Sequence, residues 1–254
     1  VSRLVARARH GTRTLTGEVE GGRFHVVEGE VPKVGVRTGE SLALEDVRLL
    51  APVQPSKVVG IALNYRAHAA EMNKPLPAEP MFFLKPSTSV IGPGDTILLP
   101  PDSAEVHHEA EVGLVVGKRL WRASADEARA ALFGVTGVVD VTARDVQRRQ
   151  NHYTRGKGYD TFCPIGPVIA CGVDPSDLRV RLSVNDVWKQ DGRSSDMVFG
   201  PFELLSFVSQ VMTLLPGDVV ATGTPPGVGP IVNGDKLVLE VESVGALELA
   251  VTRG

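Results

Sequence analysis

Short apolar runs separated by glycine and proline recur along the whole chain, and helical stretches do not alternate with them. Twenty-seven glycines and 18 prolines punctuate 254 residues, enough to impose many turns while leaving ample apolar material for a core. Strand-like segments outnumber helical ones. A doubly wound α/β sheet needs regular strand–helix alternation, so this pattern predicts a β-rich α+β fold instead: a mixed sheet closed into a sandwich or partial barrel.

The first fifty residues read as short strands at Leu4–Arg9, Thr14–Glu20 and Arg23–Glu28, broken by the turns His10-Gly11 and Gly21-Gly22. Two prolines in Ala51–Pro55 favour extended backbone there, so a boundary is expected near residue 52. It would separate a small strand-rich domain, 1–52, from a main domain, 53–254. Further strands are predicted at Lys57–Ala62, Met81–Leu84, Thr96–Leu99, His108–Val116, Val135–Val141, Pro167–Cys171, Arg179–Asn185, Asp218–Thr222 and Lys236–Val244. Asn64–Asn73 has helical composition and leads into the irregular loop Asn73–Pro80. Ser124 and Glu127 form a capping box for a helix ending at Phe133-Gly134. Thr142–Asp145 opens another helix, and Pro201–Leu215 is amphipathic, with proline in its first turn.

The formal charge is −3. Surfaces for nucleic acid or anionic lipid need a strong basic excess, so neither partner is expected. No apolar run approaches the roughly 18 residues of a membrane span. The first residues show no secretory pattern, which makes a cytoplasmic protein the expectation. Cys163 and Cys171 are too few for a disulfide scaffold or a thiolate metal cage, and Cys163 reads as a packed thiol.

The sharpest chemical signal is His107-His108-Glu109-Ala110-Glu111 running into the apolar stretch Val112–Val116. On a strand, Glu109 and Glu111 share a face about 7 Å apart. Two like charges there call for a cation or a proton, unless the pair lies on a solvated edge. Asp140 ends an apolar strand and either caps the following helix or joins the two glutamates. The three together would make an all-oxygen site of the kind Mg²⁺ or Mn²⁺ prefers. His107, on the glutamate face, is the better outer candidate of the two histidines.

His68 and Glu71 stand at i and i+3, as a surface ion pair or as a base held by a carboxylate. Lys157 lies between glycines, and Arg144 and Gln147 stand three apart on the helix after Asp140; each is a candidate for holding an anion. The segment Ala221–Gly229 offers backbone amides but lacks the G-K-[ST] of a phosphate loop.

Six strings occur here in the order found in the fumarylacetoacetate hydrolase superfamily: NYRAHAAE, MFFLKPSTSVIGPGD, HHEAEVGLVVGKR, GVVDVTARDVQ, GKGYDTFCPIGP and GDVVATGTPPGVGP. Residues 55–250 resemble its short bacterial members. The resemblance implies a mixed β-sandwich roll or pseudo-barrel, with Mg²⁺ or Mn²⁺ held by Glu109, Glu111 and Asp140. It also implies a His68–Glu71 catalytic dyad on a lid, Lys157 as an enolate-stabilising cation, and a homodimer. By the same matching, Arg144, Gln147, Thr161 and Thr224 line the substrate pocket, together with Lys85 from the F-L-K-P-S string. Asn151 stands where the longer eukaryotic enzymes carry an aromatic substrate contact.

The activity expected from the resemblance is metal-dependent chemistry on short 2-oxo or 2-hydroxydienoic diacids. It would be of the 2-hydroxyhepta-2,4-diene-1,7-dioate isomerase or oxopentene-tricarboxylate decarboxylase type. Acylpyruvate hydrolase and oxaloacetate decarboxylase are the alternatives within the enzyme class, and a non-catalytic metal-stabilised binding domain is the alternative outside it.

Overall fold

The computed structural model describes residues 3–150 and 152–254; Asn151 lies outside them. The chain opens with an antiparallel ribbon, β1 (Arg3–His10), β2 (Arg13–Glu20), β3 (Arg23–Glu30) and β4 (Lys33–Ala43), followed by the short β5 (Arg48–Leu50). Next come β6 (Val58–Ala62), α1 (Arg66–Glu71), β7 (Met81–Lys85), β8 (Val90–Ile91), β9 (Thr96–Leu99), β10 (Val106–His108) and β11 (Ala110–Val116). The middle of the chain supplies α2 (Ala125–Ala131), β12 (Leu132–Val139), β13 (Thr142–Ala143), α3 (Arg144–Gln150), α4 (Tyr153–Lys157) and β14 (Cys163–Cys171). The remainder is β15 (Arg179–Val184), β16 (Val187–Arg193), α5 (Pro201–Val211), β17 (Val219–Ala221), β18 (Gly229–Pro230), β19 (Lys236–Val241) and β20 (Gly245–Arg253).

Among the described residues these strands form three sheets. The largest runs β4-β3-β2-β1-β14-β12-β11-β17-β6-β7, a second runs β16-β15-β19-β20-β9, and a third joins β13, β10 and β18. Most pairings are antiparallel, but β6 with β17, β8 with β14 and β9 with β20 are parallel, so the sheets are mixed as expected. Strands β11, β12 and β14 are buried almost throughout. That explains why they are apolar on both faces where a half-exposed strand would alternate. Their side chains pack with Val180 and Leu182 of β15, Leu237 and Leu239 of β19, and Leu247 and Leu249 of β20 in one core. No helix among the described residues is long and apolar enough to cross a membrane.

Strand β1 pairs with β14, at Leu4↔Ala170 and Val5↔Ile169. The ribbon before residue 52 is therefore hydrogen-bonded into the main sheet. Several boundaries differ from the sequence expectation. The strand expected over His108–Val116 is interrupted at Glu109, because the Ala110 N–H donates to the Gln190 side-chain oxygen (3.0 Å) rather than to a neighbouring strand. The helix capped by Ser124 stops at Ala131, and the chain enters β12 at Leu132. The helix from Pro201 ends at Val211, where Met212 is already extended.

Candidate active site

The site lies where the start of β11 stands beside the end of β12. Their register pairs Ala110 with Val139 and Glu111 with Val138, which brings Asp140, one residue beyond β12, beside Glu109. The Asp140 N–H donates to the Glu109 carbonyl (2.9 Å). One oxygen from each of Glu109, Glu111 and Asp140 lies within 4.8 Å of the others, and all three residues are buried. The pair is therefore not a solvated edge. Lys85 and Lys157 are also buried and both donate to Asp140, while Lys157 reaches Glu109 at 2.8 Å. Arg144 donates to the other Glu109 oxygen and, at 3.1 Å, to Gln147.

These partners divide the three carboxylates. Burial pushes the Glu109 carboxyl up, but the Arg144 and Lys157 charges outweigh it and hold the group well below the usual carboxylate range. Glu111 receives only the Gly223 N–H on one oxygen (2.8 Å); its Oε1 is buried with no hydrogen-bond partner among the described residues. Burial, then the charges of Asp140 and Glu109, push the Glu111 carboxyl well above its ordinary range. Burial lowers the pKa of Lys157, but Asp140 and Glu109 more than compensate, so it is held as an ammonium.

A buried carboxylate oxygen without a partner, beside two more carboxylates, is the kind of donor set that a cation can satisfy. Hard oxygen ligands of this kind suit a divalent metal, so the residues present fit one. His107 is not part of the set. It sits against Glu105 (3.2 Å) and accepts from Arg144 Nε at 3.4 Å.

The wall above the carboxylates carries His68 and Glu71. His68 Nδ1–H donates to Glu71 Oε2 (3.0 Å), which leaves Nε2 as the free acceptor. Glu71 Oε1 accepts from the Gly227 N–H at 3.0 Å. Gly227 has φ +95°, and a Cβ there would stand 2.0 Å from the Lys189 carbonyl, so only glycine presents that amide to Glu71. The amides of 221–229 thus serve carboxylates, at Gly223 and Gly227.

His68, Glu109, Arg144, Gln147, Lys157 and Thr224 line one cleft, joined by Lys74 and Tyr153. Its volume of about 50 Å³ is well below the roughly 300–1,000 Å³ of typical ligand pockets, so the walls stand close together in this conformation. Phe83 supports the floor, with the Lys157 ammonium 4.7 Å from its ring centre and Tyr153 stacked on it at 5.0 Å.

Two of the expected pocket residues are placed elsewhere. Lys85 lies beneath Asp140, fully buried and away from the cleft lining. Thr161 turns away from the cleft: with φ +69°, its hydroxyl accepts the Leu98 N–H (2.9 Å). Cys163 is a packed thiol, pushed up to about 12 by burial.

Gln190 escapes sequence reading. It sits on the polar strand β16, 34 to 82 positions from its partners. Its oxygen accepts from His108 (2.9 Å) and the Ala110 amide, and its nitrogen donates to Thr224 (2.7 Å) and the Pro225 carbonyl (2.9 Å). Tyr153, which no sequence pattern marks, supplies an aromatic wall of the cleft two positions after Asn151.

Comparison with known proteins identifies the family. The family description "Fumarylacetoacetate (FAA) hydrolase C-terminal" matches residues 57–252, and "Rv2993c-like, N-terminal" matches residues 4–52. The chain is 45% identical over 219 residues to Protein Rv2993c of Mycobacterium tuberculosis, covering 85% of this chain and 83% of that protein. It is 42% identical over 219 residues to the human mitochondrial oxaloacetate tautomerase FAHD2A, covering 81% of this chain and 70% of that one. The crystal structure of 2-hydroxyhepta-2,4-diene-1,7-dioate isomerase from Mycobacterium marinum superposes with a TM-score of 0.91 at 40% identity. That match covers 100% of this chain and 99% of the other. With a family model matched over most of its length and relatives above 40% identical, the chain belongs to the fumarylacetoacetate hydrolase family.

Proposed function

We propose that this protein is a divalent-metal-dependent enzyme that moves a proton on short 2-oxo or 2-hydroxydienoic diacids, of the 2-hydroxyhepta-2,4-diene-1,7-dioate isomerase type. The observation that carries this reading is the His68–Glu71 pair in the wall of a cleft that Glu109 and Lys157 also line. Glu109, Glu111 and Asp140 would hold Mg²⁺ or Mn²⁺, which supplies Lewis-acid stabilisation to the enolate form of a 2-oxo acid.

The side chains account for the rest. Isomerising a 2-hydroxydienoate takes a proton from the enol oxygen and returns one to carbon, so a single group that accepts and gives back a proton is enough. His68 Nε2 is that group. Glu71 fixes the tautomer and steadies the imidazolium. Lys157 places a buried positive charge where negative charge develops on the substrate oxygen. Arg144 and Gln147 orient the substrate carboxylate.

A second reading, keto–enol interconversion of oxaloacetate, is favoured by the 42% identity to the human tautomerase and uses the same proton movement. Acylpyruvate hydrolysis and oxaloacetate decarboxylation differ in the bond broken, and their products separate them.

The test is a panel of hydroxyheptadienedioate, oxaloacetate, acetylpyruvate and fumarylacetoacetate, assayed on chelator-stripped protein with and without Mg²⁺. Ultraviolet absorbance and product mass are followed. Metal-dependent isomerisation without change of mass is expected; cleavage or carbon dioxide release would replace this reading with hydrolase or decarboxylase. Silence across the panel with metal still bound would favour a binding domain.

A further inference from the structure

Among the described residues, the cleft contains one cation that the carboxylates do not use. Arg144 and Lys157 are both engaged with Glu109, and Lys157 also with Asp140. Lys74 lines the same cleft, is exposed to solvent, and forms no ion pair among the described residues.

Its position follows from how α1 ends. The Met72 N–H donates to the His68 carbonyl (3.0 Å), the Asn73 N–H to Ala70 (3.0 Å) and the Lys74 N–H to Ala69 (2.9 Å). Asn73 takes the left-handed conformation, φ +50°. This is the reversal by which helices commonly stop, and asparagine is among the few side chains that tolerate it. It folds the chain back over the helix end, so Lys74 faces the cleft that His68 lines. The dyad and Lys74 are therefore carried on one short helix and its terminal turn, tied at Glu71 to the Gly227 amide.

We infer that Lys74 is a specificity-determining residue that receives the distal carboxylate of a diacid whose 2-oxo acid end lies against Glu109, Lys157 and Arg144. The inference rests on reading the cleft as a 2-oxo acid site. A monoacid offers Lys74 nothing. A diacid gains one charge-assisted hydrogen bond at the solvent side of the cleft. An ammonium there acts as a point charge on a flexible stem, so it accepts diacids of more than one length, and added salt weakens it.

The test uses malate and lactate, which share a 2-hydroxycarboxylate end and differ in the distal carboxylate. Neither requires turnover, so the readout does not depend on which reaction the enzyme performs. Titration calorimetry of Mg²⁺-loaded wild type, Lys74→Met and Lys74→Arg gives the ratio of malate to lactate affinity. The expected ratio is about tenfold or more in wild type, near one in Lys74→Met, and largely restored in Lys74→Arg. A wild-type ratio near one, or a ratio unchanged in Lys74→Met, would overturn the assignment. A silent substrate panel alongside an intact malate preference would sink the proposed reaction and leave Lys74 in its role.

Discussion

On the outer ribbon Arg13 grips Glu40 through two N–H donors, each at 2.8 Å, in open solvent. Beneath the cleft Lys157 meets Glu109 at the same 2.8 Å, with both groups buried. The contact is alike and its consequence is not. Opposite unit charges 4 Å apart attract by about 1 kcal/mol in water and about 4 kcal/mol at the effective dielectric near a protein surface. Burial also removes hydration worth several kcal/mol per ion. The ribbon pairs therefore trade water for protein at almost no net gain, whereas every buried group under the cleft depends on its neighbours. Glu111, one of whose oxygens has no hydrogen-bond partner among the described residues, is where that dependence is left unmet.

The contrast can be broken most forcefully at Glu111. Replacing it with Gln removes a ligand charge but keeps the shape. Loss of Mg²⁺ affinity should exceed the roughly 10–100-fold that outer partners of a metal ligand cost. In chelator-treated protein the same variant should melt higher than wild type, since an uncompensated buried carboxyl is gone. Calorimetric titration and thermal melts read both effects; unchanged metal affinity would remove Glu111 from the ligand set.

His68→Ala should lower turnover by roughly 10²–10⁴-fold while leaving metal affinity intact. That separates the dyad from the carboxylate floor, and unchanged turnover would take His68 out of the chemistry.

Lys85→Met strips Asp140 of one buried partner and should cost about 3–5 kcal/mol of stability, measured by urea unfolding. A loss below 1 kcal/mol would mean that Lys157 alone satisfies Asp140.

The smallest effect belongs to the ribbon. Glu18 is held by Arg3 and Arg37. Burial pushes its carboxyl up, but the hydrogen bonds from Arg37 and Arg3 outweigh that and lower it. A carboxyl lowered in the folded state stabilises above its unfolded pKa, and the contribution is lost as pH falls through the folded value. Glu18→Gln should therefore cost less than about 1 kcal/mol at neutral pH, and the gap to wild type should close in acid. A gap that persists or widens in acid would assign the contribution to packing.

The two regions were also unequally legible. In the ribbon, β1 to β3 are announced by local signals, Gly11 and Gly21-Gly22 at their turns, all with positive φ. Strand β4 is not, because it is largely exposed and polar and so lacks a one-faced pattern. Strand β16 fails for the same reason, and with it Gln190. In the site, Glu109, Glu111 and Asp140 could be suspected singly, since charge bordering an apolar strand is costly. Thr161 and Lys85 mark a limit: a residue type suited to a pocket says nothing about where a left-handed turn or a buried partner sends its side chain.

What the sequence determined by itself is what acts within a few residues. The glycine and proline turns, the Ser124–Glu127 capping box and the i, i+3 meeting of His68 with Glu71 all belong to that class, because backbone geometry alone brings such neighbours together. Only the tertiary structure decided that Asp140 would stand beside Glu109, that the Gly223 amide would reach Glu111 from 112 positions away, and that one of the Glu111 oxygens would be left without a partner among the described residues. Those outcomes depend on strand register and on which groups lose water together, and both are properties of the packed sheets.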